Sequence, residues 1–359
     1  VLDPVPHLLD AIDASLESWF HERGQGAYRV GQVRKWLFGR RAAAFQEMTD
    51  LPQAMRAELA DAFTLWTTTI ARHTRADDGT EKLLLTLADG GQIECVLLRD
   101  EVRRTICIST QVGCGMGCVF CASGLDGLER NLATGEIVEQ MLRLQQLLVP
   151  DERLSHIVVM GMGEPLANLD ALLPALDEAS RDDGLGISAR RITVSTVGLP
   201  KSMRRLADAG ARYRLAVSLH APNDEVRRQI VPPSEKIALA EILAEADHYF
   251  ELSGRQLTFE YVLLAGVNDS VEHAEELARL LGRRTALVNV IPYNPVAGLP
   301  YRTPSTAAQQ AFRRVLEDHG LSVRFRHRKG NTIDAACGQL RRREKGEKGD
   351  AALFTILGP

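Results

Sequence analysis

Three thiols stand within eight residues at Cys114, Cys118 and Cys121, in the stretch Cys-Gly-Met-Gly-Cys-Val-Phe-Cys. Their spacing is C-x3-C-x2-C, and Gly113, Gly115 and Gly117 are interleaved with them. Glycine reaches positive φ at no steric cost, so such a loop can fold back and turn three sulfurs toward one centre. Closely spaced thiolates suit zinc or an iron–sulfur cluster. A cubane cluster would leave one iron without a local cysteine and open to a small ligand.

Three further cysteines complete the inventory. Cys107 lies seven residues before the loop, and Cys337 sits in the polar segment Asp334-Ala335-Ala336-Cys337-Gly338. Cys95 reads as an ordinary buried core residue. Six cysteines in 359 residues, three of them bunched, argue for a reducing cytoplasm and a metal site rather than a disulfide scaffold.

The elements that must position these residues fall into distinct periods. Leu8, Leu9, Ile12, Leu16, Trp19 and Phe20 recur at helical spacing. Tyr28, Val30, Val33, Leu37 and Phe38 predict a second helix, with Arg29, Arg34, Lys35, Arg40 and Arg41 nearby. Pro52 suits the first turn of a third containing Met55, Leu59 and Phe63. This basic helical unit serves either packing or RNA contact. From 65 to 110 the period changes, with β-rich runs at 82–87, 92–98 and 104–109 and turn signals at Asp77-Asp78-Gly79 and Asp89-Gly90-Gly91.

Beyond the cysteine loop, strands and helices alternate. Strands are expected at 156–160, 191–195, 214–219, 258–263, 286–291 and 322–326, with helices such as 134–147, 169–179, 237–252 and 270–281 between them. That alternation predicts an α/β fold with a parallel sheet, as a partial or full (β/α) barrel in preference to an open doubly wound sheet. The expected organisation is a helical accessory domain at 1–64, a β-rich connector at 65–102, a core barrel at 103–340 and a tail at 341–359. That tail begins charged and ends in the apolar run 351–357.

Bulk properties are those of an ordinary globular protein, with 45% apolar and 25% charged residues. No apolar run approaches the roughly 18 residues needed to span a bilayer, and the first residues lack a signal-peptide pattern. The net charge of −4 hides a basic region, 313–348, with eleven Lys/Arg against five Asp/Glu. Arg324, Arg326, Arg328 and Lys329 form one run and residues 341–343 another, giving either a solvated surface or a phosphate-binding margin.

Polar and glycine-rich motifs follow the expected strands, where barrel active sites gather. They are Gly161-Met162-Gly163-Glu164-Pro165, Ser195-Thr196-Val197-Gly198, Ser218-Leu219-His220-Ala221-Pro222-Asn223 and Pro292-Tyr293-Asn294-Pro295. Each alone is a common turn or cap. Together they place polar groups around one rim.

In this order, VGCGMGCVFCASG, GMGEPLAN, VSTVG, SLHAPND, IPYNP and IDAACGQLR resemble the RlmN/Cfr family of radical S-adenosylmethionine (SAM) RNA methyltransferases. The resemblance covers about Tyr28 to Gln339. It implies a partial radical-SAM barrel in which Cys114, Cys118 and Cys121 hold a 4Fe-4S cluster. It further implies that SAM is bound by Gly163, Glu164, Ser195, Ser218, Leu219, His220 and Asn294. Cys337 corresponds to the methyl-carrying cysteine, Cys107 to the resolving cysteine that forms a transient disulfide with it, and Glu94 to the proton acceptor.

Carbon 2 of adenine is electron-poor and cannot attack the methyl sulfonium of SAM, whereas a thiolate can. In the implied scheme Cys337 takes a methyl group from one SAM, and a 5′-deoxyadenosyl radical from a second abstracts hydrogen from it. The resulting carbon radical adds to the ring, and Cys107 releases the product by attack on the sulfur of Cys337. The implied substrates are adenine 2503 of 23S rRNA and adenine 37 of tRNAs, with an external electron donor and no membrane partner. Cfr-type methylation at carbon 8 shares every motif. A radical SAM activase acting on a protein would need the cluster but neither Cys107 nor Cys337, and a non-catalytic RNA-binding protein would need none of them.

Overall fold

The computed structural model describes residues 5–340 apart from 211, 283, 327–329, 331 and 332. Arg328, Lys329, the 341–343 run and the 341–359 tail lie outside the described residues. Twelve strands are described: β1 (Thr69–Arg75), β2 (Glu81–Thr86), β3 (Gln92–Arg99), β4 (Arg104–Cys107), β5 (Gln111–Gly113), β6 (Leu128–Asn131), β7 (His156–Val159), β8 (Ile192–Thr196), β9 (Arg214–Ser218), β10 (Leu257–Leu263), β11 (Ala286–Pro292) and β12 (Ser322–Phe325).

Ten of them form one sheet in the order β1-β2-β3-β4-β7-β8-β9-β10-β11-β12. The strands from β4 to β12 pair in parallel. Neighbours in this parallel part follow chain order, as in a barrel, with none of the reversal that marks a doubly wound sheet. Because β1 and β12 are the outer strands, the barrel stays partial. The β-rich stretch before it joins the same sheet: β1, β2 and β3 pair antiparallel and continue the barrel sheet through β4. The β1 strand and the small β5–β6 hairpin were not among the expected runs.

Strand periodicity separates wall from lumen. Ile157, Val159, Ile192, Val194, Val288 and Val290 are fully buried, while the alternate residues Val158, Thr193, Ser195 and Asn289 are only half-buried. The apolar set meets the outer helices, among them Leu169–Ser180, Leu239–Ser253 and Val271–Leu281. Each such aliphatic side chain contributes about 1.5–3 kcal/mol on burial. Of these residues Val159 and Ser195 line a cavity at the carboxyl ends of the strands that side chains do not fill.

The N-terminal unit departs from the sequence expectation in two places. Its first helix is broken at Ala11 into a 3-10 turn, Leu8–Asp10, and the helix Ile12–Glu22. The break frees the Asp10 carboxylate to accept from the Gly135 N–H at 2.8 Å, capping the helix Thr134–Gln145 of the barrel. Pro52 precedes the helix Gln53–Ala62 rather than sitting in its first turn. The second helix, Tyr28–Arg34, runs on into a wider turn, Lys35–Gly39. Two of its expected surface cations serve the structure instead. Arg34 is buried against Asp13, Glu178 and Asp183, and Arg41 donates to the carbonyls of Leu148 and Glu152. Lys35 and Arg40 remain exposed. No helix among the described residues is long and apolar enough to cross a membrane.

Candidate active site

The cysteine loop leaves β5 at Gly113 and returns through Cys121 into the short helix Ala122–Leu125. Gly113 and Gly117 hold φ of 78° and 59°, where a side chain is strained. Gly115 does not, and a methyl there would meet Leu128 only at 3.5 Å, so the fold of the loop does not demand it. Hairpin β5–β6 supports the loop, with the Cys114 N–H donating to the Gly127 carbonyl at 2.9 Å.

Cys114, Cys118 and Cys121 line one cavity at the carboxyl ends of the parallel strands, with Glu164, Ser195 and His220. Burial pushes all three thiols up, Cys114 to about 11, and their mutual repulsion adds to this for Cys114 and Cys118. A bound positive centre would supply the charge that converts them to thiolates. Three thiols lining one cavity form a donor set that a cubane cluster can use, each thiolate taking a different iron.

The expected SAM-binding residues divide into two groups. Gly163, Glu164, Ser195, Ser218, His220 and Asn294 line the cavity. Leu219 does not: its side chain is in the core, its N–H donates to the Glu260 carbonyl, and its own carbonyl accepts from Arg227. Gly163 has φ 104°, and a Cβ there would stand 2.7 Å from Gln111, so protein backbone rather than a ligand demands this glycine. The Glu164 carboxylate accepts from Leu166 N and Val197 N, both at 2.9 Å, tying the turn after β7 to the turn after β8. Burial raises its pKa. Ser195 and Ser218 bring their hydroxyls to 3.4 Å from the ends of β8 and β9.

His220, at φ 59°, accepts from the Val262 N–H through Nδ1 at 3.1 Å. Burial and the nearby Arg227 guanidinium lower its pKa to about 3, so the ring is neutral and its Nε2–H is the remaining donor. Asn294 donates through Nδ2 to the Cys337 carbonyl at 3.1 Å, while its buried Oδ1 has no hydrogen-bond partner among the described residues. That orphaned acceptor on the cavity wall fits a ligand ammonium or hydroxyl such as SAM carries.

The segment bearing Cys337 is pinned to the rim from several sides. Gly338 O accepts from Ala122 N at 2.8 Å, immediately after Cys121. Leu340 O accepts from the Ser123 hydroxyl at 2.8 Å, and Gln339 donates to Pro295 O at 3.0 Å. Cys337 thereby stands in the wall between the first cavity and a second, of about 700 Å³, that also holds Cys107 at the end of β4. Met160, Ile291, Asn294 and Arg326 belong to the same shared wall. Burial pushes the Cys107 thiol up to about 12; the nearby Cys337 adds to this and Arg326 opposes it.

Glu94 is buried on β3 rather than at the surface, and Lys82 is its ion-pair partner. Cys95, one residue on, is buried in the core as expected. Arg326 was legible only as part of a basic run, although its place just after β12 is the rim signal that picked out the other motifs. Glu260 also faces the lumen, accepting from Asn289 at 2.6 Å. Neither it nor Lys82 carries a motif.

Residues 108–281 match the radical SAM superfamily, and residues 7–65 match the ribosomal RNA large subunit methyltransferase N-terminal domain. A partial barrel with this cysteine loop on its rim defines a radical SAM enzyme. The chain is 62% identical, over 94% of its length and 91% of the relative's, to a probable dual-specificity RNA methyltransferase RlmN of Rhodopirellula baltica. It is 45% identical to one of the same name from Bacillus licheniformis, over 93% and 92% of the two chains. The crystal structure of a radical SAM methyltransferase from Sphaerobacter thermophilus superposes with a TM-score of 0.90 at 42% identity, covering 94% of this chain and 99% of that one. The chain belongs to the RlmN/Cfr family of radical SAM RNA methyltransferases.

Proposed function

We propose that the protein methylates carbon 2 of adenine 2503 in 23S rRNA, and carbon 2 of adenine 37 in tRNAs, through a methyl group carried on Cys337. The observation that carries this reading is the pair of cavities sharing Cys337, one with the three loop cysteines and the other with Cys107. A carrier that must meet SAM on one side and a nucleobase on the other belongs in such a wall. When bound through Cys114, Cys118 and Cys121, the cluster and two SAM molecules supply a methyl group and a carbon-centred radical, with an external donor providing electrons.

The chain's own residues do the rest. Gly163, Glu164, Ser195, Ser218, His220 and Asn294 shape the SAM site, with Leu219 contributing through the backbone turn it occupies. Cys337 accepts the methyl group as a thiolate and presents it to the second cavity, which is roomy enough for an extruded base. Glu94 accepts the ring proton, and Cys107 attacks Sγ of Cys337 to free the product. Lys35, Arg40 and Arg324 are exposed cations suited to RNA phosphates. The cytoplasm, where ribosomal and transfer RNA reside and thiols stay reduced, suits this chemistry.

The deciding experiment is mass spectrometry of 23S rRNA and tRNA treated with the anaerobically reconstituted enzyme, against 2-methyl and 8-methyladenosine standards. Accumulation of 2-methyladenosine is expected. An 8-methyl product, or full turnover by Cys337→Ala, would overturn the proposal.

A further inference from the structure

Among the described residues Arg34 and Arg227 are equally buried, at 1% exposure, yet their partners differ. Arg34 lies among Asp13, Glu178 and Asp183 at 2.8–2.9 Å. Arg227, in the helix Asp224–Ile230, has no carboxylate among its hydrogen-bond or ion-pair partners in the described residues. Its Nε donates to Leu219 O at 3.2 Å and its Nη2 to Val197 O. Two carbonyl dipoles do not balance a full charge out of water, and a desolvated guanidinium without a counter-charge costs several kcal/mol. A fold that keeps one in place implies a negative group beside it.

The surroundings show where that group lies. The helix carrying Arg227 packs on the cysteine loop, with Ile230 O accepting from Val119 N at 3.2 Å. Val226, Ile230 and Val231 share one apolar cluster with Cys118 and Phe120. Cys118, once a thiolate, and Asp224 are the groups whose negative charge acts on Arg227. The Asp224 carboxylate is itself occupied, accepting from Leu239 N at 2.8 Å.

We infer that Arg227 is the built-in counter-ion of the thiolate-bound iron–sulfur cluster and sets its reduction potential upward from behind Cys118. A cluster held by three thiolates is net negative and gains further negative charge on reduction. A fixed buried cation therefore favours the reduced form, and net local charge is one of the protein's levers on potential. The same guanidinium holds the turns after β8 and β9 through Val197 O and Leu219 O, so charge and rim geometry come from one side chain. This inference rests on the cluster reading of Cys114, Cys118 and Cys121.

The test is an EPR-monitored redox titration of the full-length protein, reconstituted anaerobically with iron and sulfide, alongside its iron content. Arg227→Gln, neutral but still able to donate to a carbonyl, should hold the cluster at a more negative midpoint potential than wild type. Arg227→Lys should stay near the wild-type value even if it melts at a lower temperature. An unchanged midpoint in Arg227→Gln, or an equal negative shift in Arg227→Lys, overturns the inference. If Arg227→Gln takes up no iron, uptake by Arg227→Lys supports the counter-charge and failure of both overturns it. A wild-type protein that binds no iron would instead sink the cluster reading itself.

Discussion

Lys82 Nζ lies 2.8 Å from Glu94 Oε1 and 3.1 Å from the carbonyl oxygen of Asp334, three residues before Cys337. Lys82 stands opposite Val96 and Leu84 opposite Glu94, so the ion pair runs diagonally across β2 and β3 on one face. One ammonium thus fastens both the proposed proton acceptor and the segment proposed to carry the methyl group. Both side chains are at least nine-tenths buried. Lys82→Met should destabilise the protein by about 3 kcal/mol in urea denaturation, because half of a buried pair is lost. It should also slow single-turnover formation of methylated RNA by roughly ten- to a hundredfold, the lower range for a displaced proton acceptor. Stability loss with an unchanged chemical rate would leave Lys82 a structural residue only.

The proposed roles of Cys337, which lines both cavities, and Cys107, which lines the second, can be told apart by substitution. Cys337→Ala has no carrier and should show neither methyl uptake nor any covalent RNA species. Cys107→Ala can load the methyl group and add it to the base but cannot release it, so it should accumulate a protein–RNA adduct through Cys337. A denaturing gel, with peptide mass spectrometry of the adduct site, checks both. Free methylated RNA from Cys107→Ala at the wild-type rate would remove its resolving role.

Arg326 is expected to tune that proposed release through charge. The thiolate, not the thiol, attacks. Burial is the main cause that holds the Cys107 thiol up, to about 12 with Cys337 free, while Arg326 pulls it back. That burial persists in the adduct, where Cys337 is an uncharged thioether. The rate of adduct resolution should therefore rise with pH from neutrality through the alkaline range. Arg326→Met removes the opposing cation, so the thiol rises further and resolution at neutral pH slows. Raising the pH should recover part of the loss. Adduct decay followed by gel across a pH series reads this directly, and a pH-independent rate in both proteins would refute it.

The rim was legible because chemistry-bearing residues follow strands whose apolar runs are plain in the sequence. Strand-by-strand alternation was enough to place Glu164, Ser195, Ser218 and His220 at one end of a parallel sheet. What was not legible depends on contacts distant in sequence. Lys82 looks like an ordinary strand lysine until β2 and β3 are paired and the Cys337 segment is laid across them. Gly163 reads as a ligand-facing glycine, yet Gln111, fifty-two positions earlier, is what fills the space over it. Arg34 belongs to a basic helix by composition, and only docking onto the helix Leu169–Ser180 reveals its carboxylates. The β5–β6 hairpin escapes notice because its strands are three and four residues long and interrupted by the cysteine loop.

Arg34 joins the N-terminal helical unit to the barrel, pairing within that unit with Asp13 and across the junction with Glu178 and Asp183. Arg181 also pairs with Asp13 and Asp183, so the carboxylates keep one cation if Arg34 is lost. Arg34→Met should therefore cost about 3 kcal/mol, the lower end for breaking a buried ionic cluster. Asp183 is held at about 2 against an ordinary 3.8, by its hydrogen bond to Arg181 first and by Arg34 as well. Because its folded pKa is depressed, the stability it contributes is present above about pH 4 and is lost as pH falls through about 2. Acid melts of Arg34→Met should show a smaller loss across that window, since Arg181 alone remains. If the helical unit presents exposed Lys35 and Arg40 to RNA from a fixed position, loosening it should raise the KM for RNA. SAM cleavage in the absence of RNA should be unaffected. Equal losses in both activities would mean that Arg34 supports the barrel itself rather than the placement of its helical partner.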